Sequence, residues 1–210
     1  EIASCLVGSE MCIRDRIKED ICMGKLNIVC GNIVSDKILK LGDAIVNPTN
    51  PMMRPGAGVS GEIFRMAGVD SLENYTSQKY GISYFNPPGK NEMKVTEVRI
   101  TPGFALNKDI IFAQGPKVWE YDDYETAFRL LKQTYTNIIK SARSANYKSI
   151  ITPSLGTGEY GFVHEIIARP ITQHLKYLSV DYDIIITLVL YSEELNTLYI
   201  PVSYTHLRAH

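Results

Sequence analysis

Residues 183–191 read DIIITLVLY, an apolar run rich in β-branched side chains with no polar residue at alternate positions. A strand with one wet face would alternate, so this run needs cover on both sides, as strands inside a layered α/β domain have. It is also far shorter than the roughly 20 residues that cross a bilayer, and no other run approaches that length. Further short apolar runs at 26–30, 43–46, 95–101, 109–114 and 149–153 predict strands of the same kind. Between them, helical spacing recurs at 36–41, 61–67, 122–144 and 164–178. In the longest of these, Ala127, Leu130, Leu131, Tyr135, Ile138 and Ile139 share one face. The alternation predicts a three-layer α/β/α sandwich around a mixed, mostly parallel sheet.

Local signals sharpen the boundaries. The segment Asn47-Pro48-Thr49-Asn50-Pro51 carries two prolines, so the second strand is expected to leave the sheet after Val46. Ser60 reads as the N-cap of the 61–67 helix and Gly68 as its stop. Pro170 predicts a kink or break near Arg169. Residues 75–91, rich in Gly, Pro, Ser and Asn without periodicity, read as a surface insertion.

Charge narrows the partners. The 22 basic and 23 acidic residues give a net charge of -1, with no like-charge block. Nothing supplies the basic stripe that a phosphate backbone requires, so no nucleic acid partner is expected. No membrane partner is expected either, and a cytoplasmic protein follows. A length of 210 residues with 45% hydrophobic content suits one domain.

The two ends are related to each other through DNA. Residues 6–16 (LVGSEMCIRDR) can be encoded by a string whose reverse complement translates, in frame, as PVSYTHLRAH, which is residues 201–210. The string resembles a transposase-type sequencing-library adapter. Residues 1–16 and 201–210 are therefore expected to be adapter-derived, leaving 17–200 as a single domain, with Met23 a plausible natural start and a C-terminal end truncated where a closing helix begins. Without those ends the cysteines are Cys22 and Cys30, which suggest neither a disulfide framework nor a zinc site. No metal and no cofactor is expected.

Two glycine-rich loops carry the chemistry. Gly56-Ala57-Gly58-Val59-Ser60-Gly61 satisfies G-x-G-x-x-G, but a dinucleotide fingerprint follows its strand at once, with an acid about 20 residues on. Here a proline-broken segment intervenes and no strand follows before Val95, so that reading fails. What survives is physical: residues without Cβ let several backbone N–H groups converge, and the helix that follows adds a positive dipole end. Ser154-Leu155-Gly156-Thr157-Gly158-Glu159-Tyr160-Gly161-Phe162 leaves a buried strand in the same way. Two such loops at one sheet edge suit a diphosphate. His164 and Glu165 read as a cap-region pair with no assigned chemistry. Trp119, Tyr121 and Tyr124 read as loop-packing residues, with Lys117 solvated.

In this order, Gly31-Asn32-Ile33, residues 43–50, the loop 56–61 running to Ala67-Gly68, Gln114-Gly115-Pro116 and residues 153–162 resemble the macrodomains, which recognise ADP-ribose. The resemblance implies ADP-ribose or ADP-ribosylated protein as the ligand. It implies a binding set of Asn32, Ile33, Asn47, Gly56, Ala57, Gly58, Val59, Ser154, Gly156, Thr157, Gly158, Glu159, Tyr160, Phe162 and Tyr191, with Asn50 and Ser60 at the catalytic positions. Asn32 stands where an aspartate usually accepts from the adenine amino group, and a neutral acceptor is weaker by about 1 kcal/mol. Tyr160 would cover the distal ribose and Asn50 would bond its hydroxyls. Tyr191 either stacks on adenine or is an ordinary strand-end tyrosine. Ser60 stands where hydrolytic members often carry aspartate, and a serine hydroxyl cannot act as that base. Glu62, two residues on, is expected nearly opposite on the helix. Two functions therefore stay open, a hydrolase of ADP-ribosylated protein or O-acetyl-ADP-ribose and a non-catalytic ADP-ribose reader.

Overall fold

The computed structural model describes residues 25–82 and 90–200. The segments read as adapter-derived, Met23, Cys22 and part of the 75–91 stretch lie outside the described residues. Six strands, β1 (Leu26–Cys30), β2 (Ala44–Pro48), β3 (Val98–Thr101), β4 (Asp109–Ala113), β5 (Ser149–Pro153) and β6 (Ile185–Leu190), form one sheet in the order β1-β6-β5-β2-β4-β3. All neighbours are parallel except β3 and β4. The helices are α1 (Asp36–Leu39), α2 (Val59–Ala67), α3 (Val69–Tyr80), α4 (Tyr124–Ser144), α5 (His164–Asp181) and α6 (Glu193–Tyr199).

Strand alternation divides the core into two layers. Ala44, Val46, Ile111, Ile150, Ile186 and Leu188 face the side covered by α4, α5 and α6, where Leu131, Tyr135, Ile138, Ile171 and Leu175 meet them. Ile45, Ile110, Phe112 and Ile151 face the other side and pack on Ile38, Ile63, Phe64 and Leu72 of α1, α2 and α3. The result is the expected three-layer α/β/α sandwich with a mixed, mostly parallel sheet. Among the described residues no helix is long and apolar enough to cross a membrane.

Several boundaries differ from expectation, each for a local reason. Strand β2 continues through Asn47 to Pro48, in register with Ala113 of β4. Only alternate residues bond a given parallel neighbour. Thr49 N–H donates to the Ala113 carbonyl at 3.1 Å, so the Pro48 nitrogen faces the β5 side, where pairing has already ended at Ile45. The proline therefore costs the ladder nothing. Strand β3 begins at Val98 because Thr96 and Glu97 together oppose Gln114, with Thr96 at φ 70°. That two-against-one arrangement delays regular pairing. Residues 75–80 belong to α3 rather than to an insertion. The helix buries only Leu72 and Thr76 fully, and ends at Gly81 in the left-handed conformation. Helix α4 starts at Tyr124, not Asp122, because Asp123 caps it by accepting the Thr126 N–H. Helix α5 runs through Pro170 to Asp181 without a break. The proline denies a donor to the carbonyl of Ile166, a residue exposed on the helix's outer face.

Candidate functional site

At the carboxyl ends of β1, β2, β5 and β6 the connecting segments open into one cleft of about 730 Å³. Such a position, where parallel strands end and their loops diverge, is the usual ligand site of an open α/β sheet. The first wall is the entry to α2. Its N-cap is Gly58 at φ 63° and ψ −136°, a region open essentially to glycine alone. A Cβ on Gly58 would meet nothing within 4 Å, so the loop is open on that side. A Cβ on Gly61 would lie 2.4 Å from the Gly56 carbonyl oxygen, which shows how tightly the loop closes on its helix. The Asn50 amide holds the preceding turn, accepting the Arg54 N–H and donating to the Arg54 carbonyl, each at 3.0 Å.

Ser60 is not the cap. It sits in the first turn of α2, 7% exposed on the cleft wall, and its Oγ has no protein partner. Gly58 takes the cap because its backbone conformation leads into the helix where serine would be strained. Glu62, expected on the opposite face, also lines the cleft. Side chains lean toward the N-terminus of their helix, and in this first turn that direction is the cleft. Its carboxylate pairs with Arg65 at 2.9 Å.

The second wall follows β5. Gly156, at φ 78°, lies over the Phe162 ring, which a Cβ there would approach to 2.6 Å, whereas a Cβ on Gly158 would meet nothing within 4 Å. Phe162 is buried, edge-on to Tyr124, so an aromatic floor carries this loop. The Tyr160 hydroxyl donates to the Thr49 carbonyl at 2.9 Å and joins the two walls. Burial pushes that phenol above its ordinary pKa, keeping it a donor. Lys117 is not simply solvated, since it pairs with Glu120 at 2.8 Å and its ammonium lies over the Tyr160 ring.

One end of the cleft is backed by a buried polar chain. Ser154 Oγ is 2.6 Å from the Tyr199 hydroxyl, and that hydroxyl is 2.8 Å from Nδ1 of His164. Tyr199, on α6, is 1% exposed, and burial pushes its phenol up to about 12. Burial holds the His164 imidazole below its ordinary range. The edge of Tyr191, 75% exposed at the end of β6, meets the His164 ring.

Among the described residues the lining contains no lysine or arginine; its charged residues are Glu62 and Glu159 apart from the titratable His164. With no cation in this lining, the groups suited to an anion are backbone N–H groups, the N-terminal end of α2 and neutral side-chain donors such as Ser154 and Thr157. Among the described residues no cluster of His, Cys, Asp or Glu is arranged to hold a metal ion.

With this geometry in view, comparisons place the chain. The Macro domain profile matches residues 46–171. The chain belongs to the Macro domain family. It is 30% identical over 165 residues to a Macro domain-containing protein of Methanosarcina mazei, covering 78% of this chain and 79% of the relative. An O-acetyl-ADP-ribose deacetylase of Salmonella newport is 29% identical over 182 residues, covering 83% and 92% of the two chains. A solved Oceanobacillus iheyensis macrodomain variant with ADPR superposes with a TM-score of 0.68 at 28% identity, covering 83% of this chain and 89% of that one.

In this macrodomain most of the residues singled out from sequence do come together. Asn32, Ile33, Asn50, Gly56, Ala57, Gly58, Val59, Ser60, Ser154, Gly156, Thr157, Gly158, Glu159, Tyr160 and Tyr191 line the cleft. Asn32 turns its Oδ1 to the Val34 N–H at 3.0 Å, so one of its acceptor positions is occupied. Asn47 and Phe162 lie beneath the surface instead, Asn47 wholly buried in β2 with neither amide atom bonded to protein. Glu62, His164, Pro153 and Leu190 line the cleft without having been singled out as ligand residues. For Glu62 the signal was available in the leaning of first-turn side chains; for His164 the only hint was its place at a helix start beside the second loop.

Proposed function

We propose that this macrodomain binds ADP-ribose in the cleft and hydrolyses an ADP-ribosyl ester, either O-acetyl-ADP-ribose or ADP-ribosylated protein. The observation that carries the reading is the pairing of two glycine loops across one cleft at parallel strand ends. Each places in the cleft lining a glycine, Gly58 or Gly158, whose Cβ position is empty to 4 Å. A diphosphate spanning them would receive amides from both sides. Relatives named as O-acetyl-ADP-ribose deacetylases and a neighbour solved with ADPR support the ligand class. In this reading Tyr160 and Asn50 flank the distal ribose, Asn32 and Ile33 meet the base, and Tyr191 covers it. Residues 17–200 are the working domain, in the cytoplasm, and the adapter-derived ends contribute nothing.

Ser60 favours a second reading, a module that reads ADP-ribose without turning it over. A serine there supplies no base, and general-base catalysis is worth about 100- to 10,000-fold. Calorimetry with ADP-ribose, followed by turnover assays on O-acetyl-ADP-ribose and on ADP-ribosylated protein, separates the two. Binding with turnover supports the hydrolase, binding alone supports the reader, and the absence of binding removes both.

A further inference from the structure

We propose that His164 and Tyr199 are positioning residues of the cleft, which together set the direction in which the Ser154 hydroxyl aims its proton at a bound ADP-ribose. The proposal rests on the ADP-ribose reading and concerns residues to which that reading gives no role. Tyr199 also lies beyond the residues that the family profile matches.

The Tyr199 hydroxyl has one proton and two neighbours, Ser154 Oγ at 2.6 Å and His164 Nδ1 at 2.8 Å. It is buried, so water does not compete for that proton. The chain of hydrogen bonds must therefore run one way or the other. In one direction Nδ1–H donates to Tyr199 and Tyr199 donates to Ser154, which frees the serine proton to face the cleft. In the other, Ser154 donates to Tyr199 and Tyr199 donates to a bare Nδ1, so the serine offers the ligand only lone pairs. Among the described residues the Tyr199 hydroxyl has no other hydrogen-bond partner. Tyr135, the other buried phenol near Ser154, accepts the Leu155 N–H at 2.8 Å and reaches the Pro153 carbonyl.

Protonation decides between the directions. An imidazolium has hydrogen on both nitrogens and permits only the first; the neutral ring permits the second as well. The groups facing His164 are Tyr199 from α6, Tyr191 from the end of β6 and Glu165 on its own helix. Tyr199 stays protonated through the physiological range. Burial favours the neutral ring and outweighs Glu165, so the change falls below the ordinary histidine value of 6.5. As pH falls through that region the Ser154 proton is released toward the cleft, and an anionic ligand gains a donor. One added hydrogen bond corresponds to about a fivefold change in affinity.

Calorimetry with ADP-ribose between about pH 5 and 8 tests this in the wild type, Tyr199→Phe, His164→Asn and Ser154→Ala. The wild type should bind about fivefold more tightly at the acid end. Tyr199→Phe keeps the histidine charge but breaks the chain, and should flatten the profile. His164→Asn keeps an amide in reach of Tyr199 but cannot gain a proton, and should lose the acid-end response. Should Tyr199→Phe fail to fold, Ser154→Ala removes the receiving end from the cleft wall and should flatten the profile equally. A pH-independent wild type, or a response that survives in both Tyr199→Phe and Ser154→Ala, would overturn the proposal while leaving ADP-ribose binding intact. No binding by the wild type at any pH would overturn the ADP-ribose reading and this proposal with it.

Discussion

The two glycine loops face the same cleft but are held in place by different means. The first, at residues 56–61, is closed locally: the Asn50 side-chain amide clamps the Arg54 backbone just ahead of it, and Gly61 has no room for a Cβ against the Gly56 carbonyl. The second, after β5, is held by side chains rising from the core: Phe162 beneath Gly156, Tyr160 bonded to Thr49, and Tyr199 bonded to Ser154. The locally closed loop depends on one neighbouring side chain, Asn50, and does not tolerate an added Cβ at its closure. The side-chain-held loop has more such dependences, because each supporting ring can be trimmed or pushed.

The largest effects should come from closing those supports. Gly61→Val drives a Cβ into the Gly56 carbonyl, and Gly156→Val drives one into the Phe162 ring with φ already at 78°. Each should destabilise the fold by about 2–4 kcal/mol, read as a lowered Tm. If Gly156→Val melts like wild type, the aromatic floor does not hold the second loop. Next comes Gly158→Val, where open space lets the fold survive while ADP-ribose binding weakens by about 100-fold or more through lost charge-assisted amide contacts. Gly58→Val is the less clean partner, since its φ of 63° and ψ of −136° add strain to any loss of binding. Calorimetry on both, beside melting curves, separates the two causes.

Ser60→Asp should raise hydrolysis by up to about 100-fold if the new carboxylate serves as base. Equal turnover by wild type and variant would show that catalysis runs elsewhere, with Glu62 the other carboxylate on that wall. Tyr160→Phe removes the bridge to Thr49 and should cost about 1 kcal/mol of stability with a severalfold loss of affinity. An unchanged Tm would mean the walls are positioned independently. Removing residues 1–16 and 201–210 should leave Tm within about 2 °C and affinity unchanged; a large fall would show that neither loop's support is understood without those ends.

Much of this fold was readable in advance where burial alone governs sequence. Strands β1 and β5 have the predicted bounds because an apolar β-branched run covered on both faces has few alternatives. Helix α3 was missed because VDSLENYTSQKY carries only Leu72 and Thr76 to its buried face, so tertiary packing rather than pattern decides it. The reading at Pro48 failed because a missing donor matters only where a partner awaits it, and pairing with β5 has already ended there; at Pro170 the helix continues without a break although the Ile166 carbonyl loses its donor. In the site, the loops were legible because glycine spacing is local. The contacts of Tyr199 with Ser154 and His164 join residues 45 and 35 positions apart, and no spacing rule reaches that far.

A cleft whose only full side-chain charges are the carboxylates of Glu62 and Glu159 has a kinetic signature. Dipoles fall off faster with distance than monopoles, so backbone amides grip an anion on contact but do not draw it in from solution. Ligand capture should accordingly proceed no faster than the unsteered rate of about 10⁵–10⁷ M⁻¹s⁻¹ and rise modestly with ionic strength, as salt screens the two carboxylates. Discrimination among cellular anions would then rest on dissociation, with ill-fitting nucleotides leaving quickly rather than being turned away at the entrance.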